Sequence, residues 1–479
     1  MFLNKNISMI LINKININNI QVIGLYDVFD HNVELNKENI TLILGENGLG
    51  KTIILRIIKS FFDKNFNELF NYPYERVIFS FSDGQRIQID KDILEYNNNL
   101  NFKLFGLKKS KKPIEHFSLP ISQFNRRQYH SRKNKGIYDE FLDLNKYSRE
   151  IEYYINKFGH QSIERIGPER WLDHRFNELY TTKEILFKFK DFLPENLVKE
   201  YDTTIPTWLI EKSELFEPML IETQRLLYKS KEGESEYKSS VIRYANELVE
   251  RIKNNTVAAT ELSTRLDKNY PNRVISEITK KIKISDTEIS LGLSNLSKKR
   301  ELLNKVGLLD TEEEHFQAIG GNINNEQNDN DLLNIVLQVY INDSNQKLEI
   351  YDDLARKLEI LTDIINKRFL YKNLSISRKN GFVFKSTITD KEIPLGGLSS
   401  GEQHELVLFY QLLFNTSMNS LLLIDEPEIS LHISWQNHFI NDLKEVIKLN
   451  NFSAIIATHS PDIINNNWDL SVKLSGKVL

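Results

Sequence analysis

The sequence predicts an α/β fold with a helical lobe and a short coiled-coil insertion. The α/β part rests on three apolar runs of strand length, Ile40–Leu44, Leu421–Ile424 and Ile455–Ala457, each of which ends in glycines or polar residues. The coiled-coil part rests on two segments in the middle of the chain whose apolar residues recur at spacings of three and four. The hydrophobic share of 40% is enough to build real cores.

The bulk composition favours a protein of the reducing cytoplasm. The 479 residues leave room for roughly two or three domains, and the net charge is −4. The chain has no cysteine, which excludes disulfides and thiolate metal sites. The N-terminus lacks the pattern of a signal peptide, and no apolar run approaches the roughly 18 residues of a membrane helix. We therefore expect a soluble, cytoplasmic protein with no membrane segment.

The first predicted strand leads directly into a phosphate-binding loop. Ile40–Leu44 is followed by Gly45-Glu46-Asn47-Gly48-Leu49-Gly50-Lys51-Thr52 and then by an apolar helical run, which is the context that this motif requires. Its glycines let backbone N–H groups face phosphate oxygens, and the helix N-terminus adds a partial positive charge. We expect the phosphates to be bound by Gly45, Asn47, Gly48, Gly50 and Lys51. Thr52 is the expected Mg²⁺ ligand of the loop.

The other two strands end in residues suited to ATP hydrolysis. Leu421–Ile424 runs into Asp425-Glu426-Pro427, where Asp425 is placed to hold Mg²⁺ and Glu426 to polarise the attacking water. Ile455–Ala457 runs into Thr458-His459-Ser460, and we expect His459 to sense the γ-phosphate. The cofactors indicated by these motifs are ATP and Mg²⁺.

A further motif resembles the signature of ABC-type ATPases, most nearly that of the SMC, RecF and OLD branch. It reads Leu398-Ser399-Ser400-Gly401-Glu402-Gln403, with Ser400 where a glycine is common. In that family the signature of one subunit closes over the ATP held by the other, so the resemblance implies a homodimer with composite ATP sites. It also implies that Ser399, Ser400, Gly401 and Glu402 contact the nucleotide. The segment Glu428–His432 is similar to the D-loop, which crosses the dimer seam in this family.

The resemblance also implies a Q-loop. Pro218–Ile221 has the pattern of a strand, and Gln224 follows it shortly before a long helical insertion. In the family the Q-loop glutamine contacts Mg²⁺ and the attacking water. We expect the same two roles for Gln224.

Five segments follow from the order of the motifs. They are an N-terminal ATPase lobe with the P-loop (1–105), a helical insertion (106–217), the Q-loop strand (218–232), a helical or coiled-coil arm (233–370) and a C-terminal ATPase lobe (371–479). The outgoing limb of the arm carries an apolar stripe of Tyr237, Val241, Tyr244, Leu248 and Ile252. The returning limb carries Tyr351, Leu354, Leu358, Leu361 and Ile365. Each limb would be about 40 residues, on the order of 60 Å if wholly helical. A polar loop from Gly320 to Asp331 would join the limbs, and a compact helical bundle on the head is the alternative.

The insertion begins with a basic stretch over residues 108–135, in which lysines and arginines alternate with aromatic residues. Such a stretch could bind nucleic acid phosphates. It could equally be a solvated face or a protein-docking surface, because the whole chain is acidic and shows no base-reading motif.

The motifs leave three functions open. The C-terminal motifs look like those of the AriA family of PARIS antiphage systems and, next, the PtuA family of Septu systems and some retrons. This resemblance implies an ATPase scaffold, formed of dimers assembled further into, for example, a hexamer, that holds a separate toxin or nuclease until a phage trigger arrives. The chain shows no TOPRIM or other nuclease motif, so the effector would be another polypeptide. The resemblance implies that it is a TOPRIM nuclease (AriB-like) or an HNH nuclease (PtuB-like). A RecF-like DNA-repair ATPase is the alternative. A transporter ATPase subunit is disfavoured by the long insertion after Gln224.

Overall fold

The computed structural model describes residues 15–93, 98–106, 110, 112–121, 149–157, 163–167, 170–173, 178–181, 185, 189, 193–194, 205–222, 226–229, 237–280, 284–309 and 327–474. Its strands, numbered in chain order, are β1 (Ile17–Leu25), β2 (Phe29–Glu34), β3 (Ile40–Leu44), β4 (Arg76–Phe81), β5 (Arg86–Ile93), β6 (Asn98–Phe105), β7 (Glu115–Pro120), β8 (Ile163–Gly167), β9 (Arg170–Asp173), β10 (Glu178–Thr181), β11 (Glu217–Ile221), β12 (Leu227–Lys229), β13 (Tyr237–Ser239), β14 (Lys372–Ser377), β15 (Gly381–Ser386), β16 (Glu392–Ile393), β17 (Ser420–Asp425), β18 (Ser453–Thr458) and β19 (Ser471–Lys473). Its main helices are α1 (Lys51–Phe62), α2 (Phe66–Asn71), α3 (Thr207–Ser213), α4 (Ser240–Thr279), α5 (Asp286–Lys305), α6 (Gln327–Glu349), α7 (Asp352–Arg368), α8 (Ser400–Phe414), α9 (Ile433–Asn450) and α10 (Pro461–Ile464).

Residues 149–157 are helical as well. Among the described helices, none is both long enough and apolar enough to cross a membrane.

The chain divides into two compact units. One consists of Met1–Asp27 with Lys64–Leu215, and the other of Val28–Asp63 with Phe216–Leu479. The P-loop therefore belongs to the unit that carries the C-terminal motifs, whereas the sequence placed it in an N-terminal lobe of residues 1–105. The reason is strand pairing, because β3 lies between β18 and β19, both from the last 30 residues of the described chain.

The larger unit is built on a five-stranded sheet in the order β11-β17-β18-β3-β19. All four pairings are parallel. Apart from partly exposed residues at its edges, the sheet is apolar and buried, and α1 packs across β11, β17 and β18. The three strands predicted from the sequence, at 40–44, 421–424 and 455–457, are confirmed. Because the carboxyl ends of parallel strands lie at the same edge of a sheet, the residues that follow β3, β17 and β18 lie close to that edge.

A second layer of this unit is organised around α8, which is buried on nearly every face from Glu405 to Phe414. A helix that is apolar all round needs cover on all sides. Tyr410 supplies one of these contacts, since its ring lies 4.7 Å from that of Tyr244 and 4.6 Å from that of Phe414. α4, α7 and α9 pack around α8. The helix that carries the signature is therefore held by the insertion as well as by the head, meaning the five-stranded sheet and the helices packed around it.

The insertion between β13 and β14 is helical, as predicted, but its two apolar stripes pack on α8 and on β14 or β15 where a coiled coil was predicted. The stripe on α4 from Val241 to Ile252 lies in the core cluster of the head, where α4 contacts α8 and β15. The returning stripe on α7, from Leu354 to Ile365, is buried in the same cluster, where α7 contacts α8 and β14. Spacings of three and four define an apolar stripe on a helix, but they do not identify what covers it.

Beyond the head the insertion is a bundle of three helices. The far part of α4 packs on α6, and α5 packs on α6 as well. Arg273 of α4 forms an ion pair with Asp343 of α6, and Lys347 Nζ lies 2.9 Å from Asp267 Oδ1. This agrees with the alternative of a compact bundle rather than a two-stranded coil. α6 already begins at Gln327, so the predicted loop ends before Asp331, and residues 310–326 lie outside the described part.

The smaller unit contains an antiparallel sheet with β1, β4, β5, β6 and β7 as successive neighbours. A second, three-stranded sheet of β8, β9 and β10 buries Trp171 together with Ile151 and Ile155 of the helix at 149–157. The described part of 106–217 is therefore mixed α and β, which corrects the expectation of a helical insertion. These strands are short and partly charged, so they carry no apolar run of the kind that marks a buried strand. Most of the basic stretch at 108–135 lies outside the described residues.

Candidate nucleotide-binding site

The loop after β3 has the backbone that a phosphate cradle requires. Gly48 has a φ of 90° and Gly50 a φ of 84°, in the left-handed region that glycine occupies at little cost. Gly50 is also the N-cap of α1, and no side chain caps this helix. Gly50 has no side chain to cap the first N–H groups of α1, which leaves a helix N-terminus suited to an anion.

Lys51 is buried and folds back onto its own loop. Its Nζ donates to Gly45 O at 2.8 Å and to Glu46 O at 3.1 Å. Both acceptors are uncharged carbonyl oxygens, which a phosphate can replace. His31 also contacts the loop, since its Nε2 lies 2.8 Å from Leu49 O. Burial lowers the pKa of His31. Nothing in the sequence pattern identified this histidine.

Thr52 and Asp425 form the corner of the site that is predicted to hold Mg²⁺. Thr52 Oγ1 donates to Asp425 Oδ2 at 2.8 Å. Asp425 Oδ1 is buried and has no hydrogen-bond partner among the described residues. Burial raises the pKa of Asp425, and the bond from Thr52 partly opposes this rise. A hydroxyl and a carboxylate with an unpartnered buried oxygen are the hard oxygen ligands that Mg²⁺ prefers, so these residues fit the ion.

Glu426 occupies a strained position directly after β17. Its φ of 44° and ψ of 59° are left-handed values that a non-glycine residue adopts at a cost of about 1 kcal/mol or more. Its backbone N–H donates to Ala457 O at 2.9 Å, which fixes this conformation against β18. The side chain is 23% exposed, so its carboxylate can reach a water molecule.

His459, the first residue after β18, lies beside two carboxylates. Its Nδ1 is 3.0 Å from Glu428 Oε1 and 3.9 Å from Glu426 Oε1. Its backbone N–H also donates to Glu428 Oε1, at 2.8 Å. The sequence placed Glu428 in the D-loop and gave it no part in the site. An acidic residue directly after Asp425-Glu426-Pro427 was the available signal.

The signature residues begin α8. Ser399 is the N-cap, and its Oγ accepts from Glu402 N at 3.3 Å while Glu402 Oε2 accepts from Ser399 N at 2.7 Å. Ser399 and Ser400 are exposed, whereas Glu402 is buried and receives Lys372 Nζ at 2.6 Å. In the described part of the chain, the hydrogen bonds of Ser399 and Glu402 stay in this region and none reaches the P-loop.

A buried ionic cluster lies under the signature. Arg368, the last residue of α7, pairs with Glu405 of α8 and with Asp442 of α9. Glu405 is fully buried, and burial raises its pKa to about 7, against the opposing effect of Arg368. The cluster ties the end of the insertion to the signature helix, and the sequence did not indicate it.

Together, the described residues bring the predicted P-loop, Asp425, Glu426 and His459 to one edge of the sheet. Ser399, Ser400, Gly401 and Glu402 lie at the start of α8, where Ser399 and Ser400 are exposed and Glu402 is buried, and none of their hydrogen bonds among the described residues reaches the P-loop. The strand before the predicted Q-loop is confirmed as β11, but Gln224 itself lies outside the described residues.

Comparison with known proteins gives a family and a set of distant folds. The family described as AAA ATPase domain (AAA_15) matches residues 11–464, which is most of the chain. No curated protein matches the sequence.

Similar solved structures include the Smc head domain with an extended coiled coil bound to the C-terminal domain of ScpA from Pyrococcus furiosus, at 11% identity and a TM-score of 0.32, covering 97% of this chain and 95% of that one. The SMC head domain from Thermotoga maritima is similar at 10% identity and a TM-score of 0.30, covering 94% and 91%. Similarity this low adds no argument to the family match and the geometry of the loop.

Proposed function

Because the chain belongs to the AAA ATPase domain family (AAA_15), we propose that it hydrolyses ATP with Mg²⁺ in composite sites between two copies of itself. We further propose that closure of the two copies over ATP controls a separate effector in a bacterial antiphage system. The observation that carries the first proposal is the convergence of Lys51, Thr52, Asp425 and Glu426 at the edge of one parallel sheet.

The chemistry follows from these side chains. The backbone of the loop and Lys51 would hold the β- and γ-phosphates, while Thr52 and Asp425 would hold Mg²⁺, which supplies charge neutralisation at the phosphates. Glu426, directly after Asp425 and partly exposed, would accept the proton of the attacking water. His459, on the neighbouring strand end, would contact the γ-phosphate.

A second copy is proposed because, among the described residues, Ser399 and Glu402 make no hydrogen bond to the P-loop of their own chain. Ser399 and Ser400 are exposed at the N-terminus of a 15-residue helix, where N–H groups and hydroxyls can face the phosphates of another subunit. The motif resembles that of the SMC, RecF and OLD branch, in which this exchange forms the dimer.

The effector proposal rests on the resemblance to AriA and PtuA. The chain would act in the cytoplasm as a scaffold of dimers assembled further, with a phage product as trigger. Its effector would be a TOPRIM or HNH nuclease carried on another polypeptide.

ATP hydrolysis is tested by Lys51→Ala, with Lys59→Ala as the control. Lys59 lies on the same helix, is partly exposed and pairs with Asp63. We expect Lys51→Ala to lower both ATP affinity and hydrolysis by about a hundredfold or more, because it removes a buried cation from the phosphate site. Lys59→Ala should match the wild type. Unchanged ATP affinity in Lys51→Ala would overturn the assignment of the site.

The effector role is tested by isolating the native protein from its host. A stoichiometric partner that carries a TOPRIM or HNH nuclease supports the proposal. A solitary protein that binds DNA only with ATP contradicts it and favours the RecF-like alternative.

A further inference from the structure

Glu428 is a buried carboxylate on which several donors converge. Its Oε1 accepts from Thr458 Oγ1 at 2.8 Å and from His459 N at 2.8 Å, and it lies 3.0 Å from His459 Nδ1. Its side chain is only 6% exposed. Oε2 is buried and has no hydrogen-bond partner among the described residues. A buried carboxylate with one unpartnered oxygen lowers the stability of the fold, so its presence suggests a functional role.

The turn that carries Glu428 is itself fixed to the strand end that carries His459. Gln436 Nε2 donates to Glu428 O at 3.2 Å and to Leu431 O at 3.1 Å. Gln436 Oε1 in turn accepts from Ser460 Oγ at 2.8 Å. The segment after Glu426 and the segment after β18 are therefore joined at two points, one ionic and one neutral.

Glu428 and Glu426 both lie near the same ring nitrogen of His459. His459 Nδ1 is 0.9 Å closer to Glu428 Oε1, at 3.0 Å, than to Glu426 Oε1, at 3.9 Å. A nitrogen at 3.9 Å makes no hydrogen bond, so Nδ1 contacts Glu428 and not Glu426. With Nδ1 facing Glu428, Nε2 is the ring nitrogen left for other partners, and the His459 side chain is 45% exposed.

We propose that Glu428 is a positioning residue for ATP hydrolysis. It holds His459 away from Glu426, so that the carboxylate of Glu426 stays available to water, and it fixes the ring with Nε2 directed to other partners. This rests on the proposed function, because hydrolysis is its readout. Since Glu428 opens the segment that resembles the D-loop, a shift of that segment would move the histidine as well.

The test compares Glu428→Ala and Glu428→Gln with Glu445→Ala, an exposed carboxylate on α9. We expect Glu428→Ala to lower kcat about ten- to a hundredfold and to change the dissociation constant of ATP less than about twofold, because the lost contacts orient the reacting groups. Glu428→Gln keeps an acceptor oxygen at the same place and should recover most of the rate. Glu445→Ala should match the wild type.

Each variant is also made in the His459→Ala background. If Glu428 acts through the histidine, Glu428→Ala should change the already reduced kcat of His459→Ala less than about twofold. An equal factor in both backgrounds, or an unchanged kcat in Glu428→Ala, would overturn the inference. If Glu428→Ala does not fold, Glu428→Gln decides: a kcat within about threefold of the wild type agrees with the positioning role of an acceptor oxygen, and a loss of about tenfold or more overturns the inference. A wild type without ATP hydrolysis would refute the proposed function instead.

Discussion

Thr52 Oγ1 donates a 2.8 Å hydrogen bond to Asp425 Oδ2, although 373 positions separate the two residues in the chain. The bond joins the start of α1 to the end of β17. It forms because β3 and β17 run parallel with only β18 between them, so both carboxyl ends reach the same edge. The remaining oxygen of Asp425 is buried without a partner among the described residues, which leaves it for a metal ion.

Asp425→Asn should therefore separate stability from activity. We expect Mg²⁺-dependent hydrolysis to fall by about a hundredfold or more, since a neutral amide is a weak ligand for a hard cation. In the absence of nucleotide, the free energy of unfolding should rise, because burial already disfavours the charge of Asp425. Hydrolysis as a function of Mg²⁺ concentration and unfolding in denaturant measure the two effects. A normal dependence on Mg²⁺ would remove Asp425 from the metal site.

Glu426→Gln should block hydrolysis after binding. The amide cannot accept a proton, so we expect kcat to fall by about 10²- to 10⁴-fold while ATP still binds. With hydrolysis blocked, ATP should shift the protein towards the closed dimer, which light scattering after size-exclusion chromatography detects. If the variant hydrolyses at the wild-type rate, Glu426 is not the base.

Ser399→Arg and Ser285→Arg form a matched pair. Ser285 caps α5 with the same box as Ser399, since its Oγ accepts from Glu288 N at 3.3 Å and its N donates to Glu288 Oε2 at 3.1 Å. Both variants lose a helix cap worth about 1 kcal/mol. Only Ser399→Arg should lose hydrolysis, and it should retain ATP binding. Equal losses of activity would mean that the signature acts only through helix stability.

The buried carboxylate of Glu405 should make stability fall with rising pH. Its pKa is raised from 4.5 in the unfolded chain to about 7 by burial. Between these values the folded state binds more protons than the unfolded state, so the free energy of unfolding decreases by at most about 1.4 kcal/mol per pH unit. Urea unfolding from about pH 5 to about pH 7 should show this slope. Glu405→Gln should lose it, and Glu445→Gln should keep it.

The sequence was sufficient where a few adjacent residues determine both structure and chemistry. The strand, loop and helix from Ile40 to Phe62 follow from an apolar run, two glycines with positive φ and a helical pattern, all within a short stretch. β17 and β18 are equally local.

Contacts between distant segments could not be predicted. The stripe from Val241 to Ile252 suggested a coiled-coil seam, but the structure covers it with the signature helix and β15. Glu428 was visible as an acid in the D-loop segment. Its bonds to Thr458 and His459, 30 and 31 positions away, depend on how the sheet aligns two strand ends. One sequence contains no signal for such a pairing.

The central claim is that two copies of the chain share each ATP site, and mixing two inactive variants tests it most directly. In a dimer of Lys51→Ala with Ser399→Arg, one site lacks both motifs and the other has both intact. Equal mixing should therefore restore roughly a quarter of the wild-type rate, since about half of the dimers are mixed and each has one working site. A mixture that stays as inactive as its two components would contradict the composite site.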